Sequence, residues 1–514
     1  MMEVDGVVQA ICAIYDSATS NTDRLKCTQA IEDFKDGPPE LVANTAFELI
    51  SQNSPILRHT GWTLLEDLIR YKWVTLSPEL CLTVRNRIFQ AIDTLVQEET
   101  TESCARCVVA MMEHEWPQNW PELTPQLQEI CSRSFLHCAI VFAIQRRLVE
   151  NVATLASIAN ARRRKEMHGA MVESVDDFLK LALDTLNSCP LDETNLLAVR
   201  NIFGWLIEVC SCVTSDSLEN QLIRIVDTVT RYLSTAEGNI YEQAAQCLAT
   251  LSARRREKSD KSVVISAFFR EEVFSVILTI TSLAADNSQS NEQHYRFLKS
   301  LCEVLTTLGN FLSKVWTEKT PPANFGTYIS AIVAFFNHES LYLKHEACDV
   351  LVALSSHASF REDEHLMQSL RFVFSNALSA FTKHGYPSQD PPTPASHYSQ
   401  MDFEDDLEWH NFFIRFRSRL QVLIADNLGA HFEHLLSVYE IDVFQRIFSD
   451  PYAVKEAQWE AMQKFSRSVI LVAYERKIAD KKNERLIAMR NALVAMMANV
   501  TVCDVLSDPR PEHQ

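Results

Sequence analysis

Apolar residues recur along most of the chain at the three- and four-residue spacing of amphipathic helices, in segments of about 15 to 25 residues. Short polar or proline-bearing stretches such as DGPPE, TLSPE and EKTPPAN separate these segments. Antiparallel helix pairs that recur every ~40–47 residues are typical of HEAT arrays, although no strict sequence repeat is visible here. The pattern predicts an all-α fold, a HEAT-repeat superhelical solenoid.

Residues 54–74 show the helical pattern most clearly. At 3.6 residues per turn, one arc of this helix carries Leu57, Gly61, Leu64, Leu65, Leu68 and Ile69. Trp62 and Trp73 widen the apolar arc, so the helix needs neighbours on two sides, as a stacked array provides. We expect Gly61 to permit a close crossing between two helices.

Two Trp-Pro pairs, Trp116-Pro117 and Trp120-Pro121, interrupt the pattern. Proline holds the residue before it in extended conformations and suits the first turn of a helix. One helix is therefore predicted to end near Glu115 and the next to begin around Pro121. We expect the two indole rings to pack into the corner between these helices; an exposed pair that contacts a partner is the alternative.

Residues 386–404 break the helical pattern again, with four prolines followed by acidic and aromatic residues. The sequence predicts an inserted loop without a helical face. Asp402, Glu404, Asp405 and Asp406 could present carboxylates to a partner from this loop. A merely solvated loop is the alternative.

Composition excludes several classes of enzyme. Only 10 of the 514 residues are glycine, whereas about 7% is usual. Phosphate-binding loops and nucleophile elbows need glycines at fixed positions, and no G-x-x-x-x-G-K-[ST], G-x-G-x-x-G or G-x-S-x-G occurs. The sequence therefore predicts a protein that is not an enzyme, with no catalytic residue and no cofactor of its own.

Charge and cysteine content narrow the choice of partner. The net charge of -19 repels nucleic acid at long range and suits a basic protein partner. The 14 cysteines follow no regular framework, and Cys104-Ala-Arg-Cys107 is a lone C-x-x-C, so we expect reduced thiols in an intracellular protein and no metal site. No apolar run reaches the ~18 residues of a membrane span, and no membrane contact is expected.

Two basic clusters stand out against the acidic average. One lies at the predicted start of a helix and the other in a charged connector; their members are Arg162, Arg163, Arg164 and Lys165, and Arg254, Arg255, Arg256 and Lys258. Several cations on one edge can overcome a repulsive mean field within a Debye length of about 8 Å. Both clusters are candidates for binding RNA phosphates or an acidic protein surface, and solvated charge is the alternative.

Several motifs resemble the karyopherin-β (importin-β) family. Arg58-His59-x-Gly61, Leu65-Glu66 and Trp73 resemble its N-terminal domain, and EWPQNWP looks like the corner that follows in exportins. Four further stretches resemble an exportin of short structured RNAs: HYRFLKSLCEVLTTLGNFL, PPANFGTYISAIVAFFNHES, KHGYPS and HYSQMDFEDDLEWHNFF. The resemblance weakens after about residue 445 and implies the N-terminal half of a longer family chain.

The resemblance implies a domain order and a set of partners. HEAT repeats over residues 1–115 would form a Ran-binding arch, residues 116–385 exportin-type repeats, and residues 405–514 further repeats of a truncated array. Ran-GTP would supply the only nucleotide, with structured double-stranded RNA bearing a short 3′ overhang as cargo and nucleoporins as partners during shuttling between nucleus and cytoplasm. The Ran-facing residues implied are Arg58, Trp62, Glu66, Arg70 and Trp73.

Two alternatives to RNA export remain open at this point. A karyopherin for protein cargo needs the same Ran-binding arch but no phosphate-binding cations. A HEAT scaffold needs neither Ran nor RNA. Because exposed charges contribute little to folding, we also expect reversal of Glu66 and Arg70 to weaken Ran binding with little loss of stability.

Overall fold

The computed structural model describes most of the chain as helices. The described residues are 4–475, except 95–97, 156–157, 159, 191, 193–194, 214–217, 219, 236–238, 254–261, 290 and 448–453, together with residues 487 and 491. Within these residues there is no strand. The chain divides into two compact units, Met1–Arg256 and Glu257–Gln514, which are described separately.

The first unit is built of helices in two rows. In chain order they are α1 (Val4–Tyr15), α2 (Asn21–Lys35), α3 (Pro39–Ile50), α4 (Pro55–Lys72), α5 (Pro78–Thr94), α6 (Thr101–Glu115), α7 (Leu123–Cys131), α8 (Phe135–Val149), α9 (Ala161–Ser188), α10 (Leu196–Cys212), α11 (Leu222–Thr230) and α12 (Ile240–Ala253). Helices α4, α6, α8, α10 and α12 pack against one another in succession, and α5, α7 and α11 pack against members of this row. Such stacking of successive helix pairs is the HEAT arrangement, so the predicted all-α solenoid fold is confirmed.

Proline marks the starts of three consecutive helices in the first unit. Helices α3, α4 and α5 begin at Pro39, Pro55 and Pro78. The first backbone N–H groups of a helix have no partner within it, so a residue that lacks this group costs no hydrogen bond there. The proline-bearing separators in the sequence therefore belong to the helix starts.

Gly61 lies where α4 crosses α3. A Cβ atom at this position would lie 2.6 Å from the Ala46 backbone oxygen and 2.9 Å from Ile50 Cγ1. Real Cβ atoms do not approach a backbone oxygen so closely, and the oxygen cannot move without shifting α3. The prediction that Gly61 permits a close crossing is confirmed.

We expect Gly61→Ala to lower the free energy of unfolding by up to about 2 kcal/mol. Alanine gains about 1 kcal/mol of helix propensity, but overpacking against a fixed backbone costs about 1–3 kcal/mol. Gly169→Ala in α9 is the matched control, because nothing lies within 4 Å of the added methyl group, and it should stabilise. Urea unfolding of both variants gives the measurement; two shifts of the same sign would contradict the assignment.

The Trp-Pro stretch forms a packed corner between α6 and α7. Helix α6 ends at Glu115, as predicted, and α7 begins at Leu123. The rings of Trp116 and Trp120 are both buried. Trp120 Nε1 donates a hydrogen bond to Gln126 Oε1 at 3.3 Å. The packed corner is confirmed, and the alternative of an exposed pair is wrong.

The second unit repeats the two-row arrangement. Its helices are α13 (Ser262–Phe268), α14 (Glu271–Asn287), α15 (Glu292–Val315), α16 (Phe325–Asn337), α17 (Leu341–Ser355), α18 (Glu364–Ser375), α19 (Ala377–Phe381), α20 (Pro394–Asp402), α21 (Asp406–Tyr439), α22 (Glu456–Ser466) and α23 (Val472–Glu475). Helices α15, α17 and α21 pack in succession, and α14, α16 and α18 pack against them. Two π-helical stretches, Glu440–Ile447 and Arg467–Leu471, continue α21 and α22.

Helix α20 corrects the prediction of an inserted loop over residues 386–404. Thr393 Oγ1 accepts from the Ser396 backbone N–H at 3.2 Å, and Ser396 Oγ accepts from the Thr393 N–H at 2.8 Å. This reciprocal capping box, with Pro394 in the first turn, starts a helix of nine residues. The expectation of a loop without a helical face is therefore wrong for residues 394–402, because proline frequency concealed a short capped helix.

Candidate partner-binding surfaces

Both tryptophans of the implied Ran-facing set lie in the core of the first unit. Trp62, on α4, is buried, and its carbonyl accepts a hydrogen bond from Cys107 Sγ of α6 at 3.2 Å. Trp73 follows α4 and is also buried; its Nε1 donates to Glu115 Oε1 at 3.2 Å, and its ring stacks on His114. Trp62 contacts α6 through its backbone carbonyl and Trp73 through its side chain, and both rings are buried.

The charged members of the set are mostly engaged within the unit. Glu66 accepts ion pairs from Arg70 at 3.0 Å and from Arg106 at 2.8 Å, and its side chain is only 13% exposed. Arg58 is buried and ion-paired with Glu99. The Arg70 side chain is 41% exposed, so of the five implied residues it alone presents much of its side chain to solvent.

The location of Glu66 corrects the expected stability of the charge reversal. That expectation assumed two exposed charges, but Glu66 bridges α4 to Arg106 on α6. Reversing Glu66 would place a cation beside Arg106 in a largely solvent-excluded position, where like charges repel strongly. We therefore expect reversal of Glu66 to lower stability, which makes the residue unsuitable for testing Ran binding.

An acidic groove lies next to this region, between α2 and α4. It encloses about 270 Å³. We call it the acidic groove, and the lining residues used in the argument are Glu32, Asp33, Asp36, Asp67 and Tyr71. The Tyr71 side chain is 78% exposed. Four carboxylates beside an exposed aromatic ring form a surface suited to a basic partner.

Two lysines hold the acidic groove together. Lys35 bridges Glu32 and Asp67, with both N–O distances at 2.8 Å. Burial alone would lower the pKa of Lys35, but its hydrogen bonds to Asp67 and Glu32 raise it overall. Lys72 pairs with Asp36 at 3.5 Å. From the sequence, the spacing of the acidic residues of α2 indicates that they share one face of the helix. The sequence does not show which other helix packs against that face.

Arg163, in the first basic cluster, binds the Trp-Pro corner. Its Nε donates to the Glu113 carbonyl at 2.9 Å and its Nη2 to the Met112 carbonyl at 3.0 Å, and it also donates to the Trp116 carbonyl and the Gln118 side chain. The side chain is largely buried, and this burial lowers the pKa of the guanidinium. Arg163 therefore caps the C-terminus of α6 and does not face a phosphate.

The other members of this cluster differ in exposure. As predicted, they lie at the start of a helix, where Asn160 caps the first turn of α9. Arg162 is 89% exposed and pairs with Glu166 at 3.0 Å. Arg164 donates to the Ile158 carbonyl at 3.1 Å, whereas Lys165 is exposed. Arg162 and Lys165 are thus the members open to a partner.

The second basic cluster lies outside the described residues. Its members are Arg254, Arg255, Arg256 and Lys258, and they remain candidates from the sequence alone.

Asp402, at the end of α20, pairs with α15. Its Oδ1 accepts from Lys299 Nζ at 2.7 Å and its Oδ2 from the Tyr295 hydroxyl at 2.5 Å. The carboxylate is only 2% exposed. One helical turn earlier, the Tyr398 hydroxyl forms a hydrogen bond with Ser288 Oγ at 2.8 Å. We call these two contacts the α20 clamp; Asp402 belongs to it and not to a solvated acidic loop.

The other three carboxylates of the predicted acidic segment lie around the start of α21. Asp405 accepts from the Glu408 N–H at 2.8 Å and caps the helix. Asp406 accepts from the Ser388 hydroxyl and from its N–H at 3.0 Å, and these hydrogen bonds lower the pKa of Asp406. Glu404 is exposed. Of the predicted carboxylates, Glu404 is the one that the structure leaves most open.

The part of the chain that the structure describes contains no cluster of three or more His, Cys, Asp or Glu residues that could hold a metal ion. Both members of the lone C-x-x-C, Cys104 and Cys107, are fully buried, and burial raises the pKa of each thiol. Among the same described residues, no helix has the length and apolar character of a membrane span.

Comparison with known proteins places these surfaces in a family context. The family model described as Exportin-5 family matches residues 292–502, and that described as Exportin 1-like protein matches residues 100–248. Exportin-5 of Mus musculus is 24% identical over 519 residues, which cover 90% of this chain and 42% of the relative. Exportin-5 of Homo sapiens is 24% identical over 509 residues with the same coverage.

A more distant relative shows the same partial coverage. Exportin-5 of Dictyostelium discoideum is 19% identical over 449 residues, which cover 82% of this chain and 38% of the relative. The chain therefore spans about two fifths of the length of the curated relatives it matches.

Proposed function

Because the chain belongs to the exportin family, we propose that it is a nuclear export receptor that binds Ran-GTP together with structured double-stranded RNA bearing a short 3′ overhang. In this proposal it contacts nucleoporins and shuttles between nucleus and cytoplasm. Members of the family are transport receptors and not enzymes, so hydrolysis of GTP would belong to Ran. Cargo release then requires a coupling free energy between the two ligands, typically about 1–3 kcal/mol.

The acidic groove is the observation that carries the Ran part of the proposal. Asp33, Asp36 and Glu32 are exposed at its α2 edge, and the exposed Tyr71 ring lies beside them. Carboxylates at the edge of a surface accelerate encounter with a basic partner, and an exposed aromatic ring contributes contact area once the partner is bound. We assign the groove, together with Arg70, to the Ran-facing surface.

We expect the double variant Asp33→Lys/Asp36→Lys to bind Ran-GTP about tenfold or more weakly, because each reversal replaces an attraction by a repulsion. The matched control is Glu122→Lys/Glu173→Lys, which makes the same change of net charge at exposed positions of the first unit. Affinity is measured for Ran-GTP, with Ran-GDP as the reference state. Equal losses in both variants would assign the effect to net charge and reject the groove; equal binding of the two nucleotide states would reject the exportin mechanism.

The RNA part of the proposal rests on the exportin-5 relatives and on exposed cations. The logarithm of the affinity for a hairpin with a 3′ overhang should fall linearly with the logarithm of salt concentration. The slope should shrink by about 0.9 for each phosphate contact removed. We expect a smaller slope in Arg162→Gln/Lys165→Gln and in a variant with glutamine at Arg254, Arg255, Arg256 and Lys258. Slopes unchanged in both variants would exclude both clusters from phosphate contact.

A karyopherin for protein cargo is the second candidate. Arg163 and Arg164 donate to backbone carbonyls of the first unit, which removes two of the four cations from the first cluster. The net charge of -19 also opposes a polyanionic cargo. Binding of Ran-GTP without any salt-dependent RNA binding would favour this candidate.

A further inference from the structure

A polar pocket of about 260 Å³ opens in the second unit, where the ends of α16 and α19 meet α17, α20 and α21. We call it the Lys344 pocket. Its polar lining includes Asn337, Glu339, Lys344, Ser379, His384 and Ser399. One water molecule needs about 10–15 Å³ of such volume, so the pocket has room for a short side chain.

Lys344 is the single ammonium group among these residues, and the carboxylate that attracts it is that of Glu339. Among the described residues no carboxylate lies within 4.0 Å of its Nζ. Burial lowers the pKa of Lys344, and attraction by Glu339 opposes this only in part. Lys299, also in the second unit, shows the contrast, because it pairs with Asp402 at 2.7 Å.

A partly desolvated cation without a close ion pair destabilises the fold and can bind an anionic ligand. Lys344 is partly buried, so part of the cost of removing water from its ammonium group is already met before an anion arrives. Such perturbed groups in clefts are candidates for binding sites. The hydroxyls of Ser379 and Ser399 line the same pocket and can donate hydrogen bonds to an anion.

We propose that the Lys344 pocket binds a carboxylate group, supplied by an acidic side chain of a partner protein. One ammonium group matches one negative charge. The exposed Glu339 at the pocket repels any anion, and it repels a doubly charged phosphate more strongly than a singly charged carboxylate. The volume fits a glutamate side chain with its carboxylate at Lys344 and its backbone outside.

The test is a titration of the full chain with the capped tripeptide Ac-Gly-Glu-Gly-NH2, followed by NMR of isotope-labelled lysine. The wild type should show saturable binding with a shift of the Lys344 signal. Lys344→Met should weaken binding at least tenfold, and the exposed Lys319→Met should change it less than twofold. Lys344→Met should also unfold at an equal or higher temperature, because it removes a partly buried cation that has no close ion pair; a lower unfolding temperature would mean that Lys344 is a structural residue and would overturn the proposal.

Three further probes distinguish the source of the anion. Ac-Gly-Gln-Gly-NH2 should not bind, since it has the same shape without the charge. Glutarate should bind more weakly than the glutamate peptide if the pocket accepts a side chain of a protein. Tighter binding of glutarate would instead identify a free small acid as the ligand. Tighter binding of inorganic phosphate, or equal binding to Lys344→Met, would overturn the proposal. None of these results depends on Ran or RNA, so they leave the export function to its own tests.

Discussion

Asp402→Ala is expected to lower the free energy of unfolding of the second unit by about 3 kcal/mol. Removing one partner of a buried ion pair costs about 3–5 kcal/mol, because the other charge stays buried without compensation. Lys299 is 31% exposed and can regain some water, which places the expected value at the low end of that range. Tyr295 keeps its hydrogen bond to Ser340 at 2.7 Å. Urea unfolding measures the loss, and hydrogen exchange in α20 locates it.

The control for Asp402 is Glu404→Ala, two residues later and exposed. An exposed carboxylate contributes about 0.5 kcal/mol or less. Asp402→Asn should fall between the two, because an amide still accepts from Tyr295 but no longer pairs with Lys299. Equal stability of Asp402→Ala and Glu404→Ala would show that the Asp402 contacts of the α20 clamp contribute nothing.

Arg163→Met is expected to cost about 2–4 kcal/mol of stability in the first unit. The guanidinium donates to the carbonyls of Met112, Glu113 and Trp116 at the end of α6. The Met112 carbonyl also accepts from the Trp116 N–H, whereas the residue four positions after Glu113 is a proline and has no N–H to donate. Each hydrogen bond from a charged donor contributes about 1.5–3 kcal/mol, and the carbonyls can recover part of this from water. Methionine keeps the aliphatic length, so thermal unfolding reports the lost donors more than lost volume.

Arg162→Met is the neighbouring control, since it removes an equal charge from an exposed position with a single surface ion pair. Its stability should change by less than about 1 kcal/mol. The two variants separate the structural from the binding role of the cluster: RNA affinity should depend on Arg162 and stability on Arg163. A stable Arg163→Met chain with weakened RNA binding would reverse this assignment.

The elements that the sequence predicts well are those set by local spacing. The end of α6 at Glu115 follows from the conformational restriction that Pro117 places on Trp116. The close helix crossing at Gly61 follows from the position of this glycine inside an apolar helical arc. In both cases the cause lies within one helical turn or at one crossing, so a single stretch of sequence carries the information.

The features that the sequence does not reveal depend on which helices become neighbours. Glu66 looks like an exposed charge until Arg106, on another helix, reaches it. Arg163 looks like a member of a basic patch until it meets the end of α6. Asp402 looks like part of an acidic run until it pairs with α15. Long polar side chains reach partners some forty to a hundred positions away, and no periodicity encodes such pairs.

The α20 clamp also bears on how the second unit loses its structure. In an ideal repeat array each repeat contacts only its neighbours, so the ends fray one repeat at a time. The clamp joins Tyr295 to Asp402 and Ser288 to Tyr398, separations of 107 and 110 residues. The entropy of closing a loop rises only slowly with its length, so contacts this distant in sequence can still tie the intervening helices into one cooperative block. Helices α15 to α20 should therefore open together, as a single foldon.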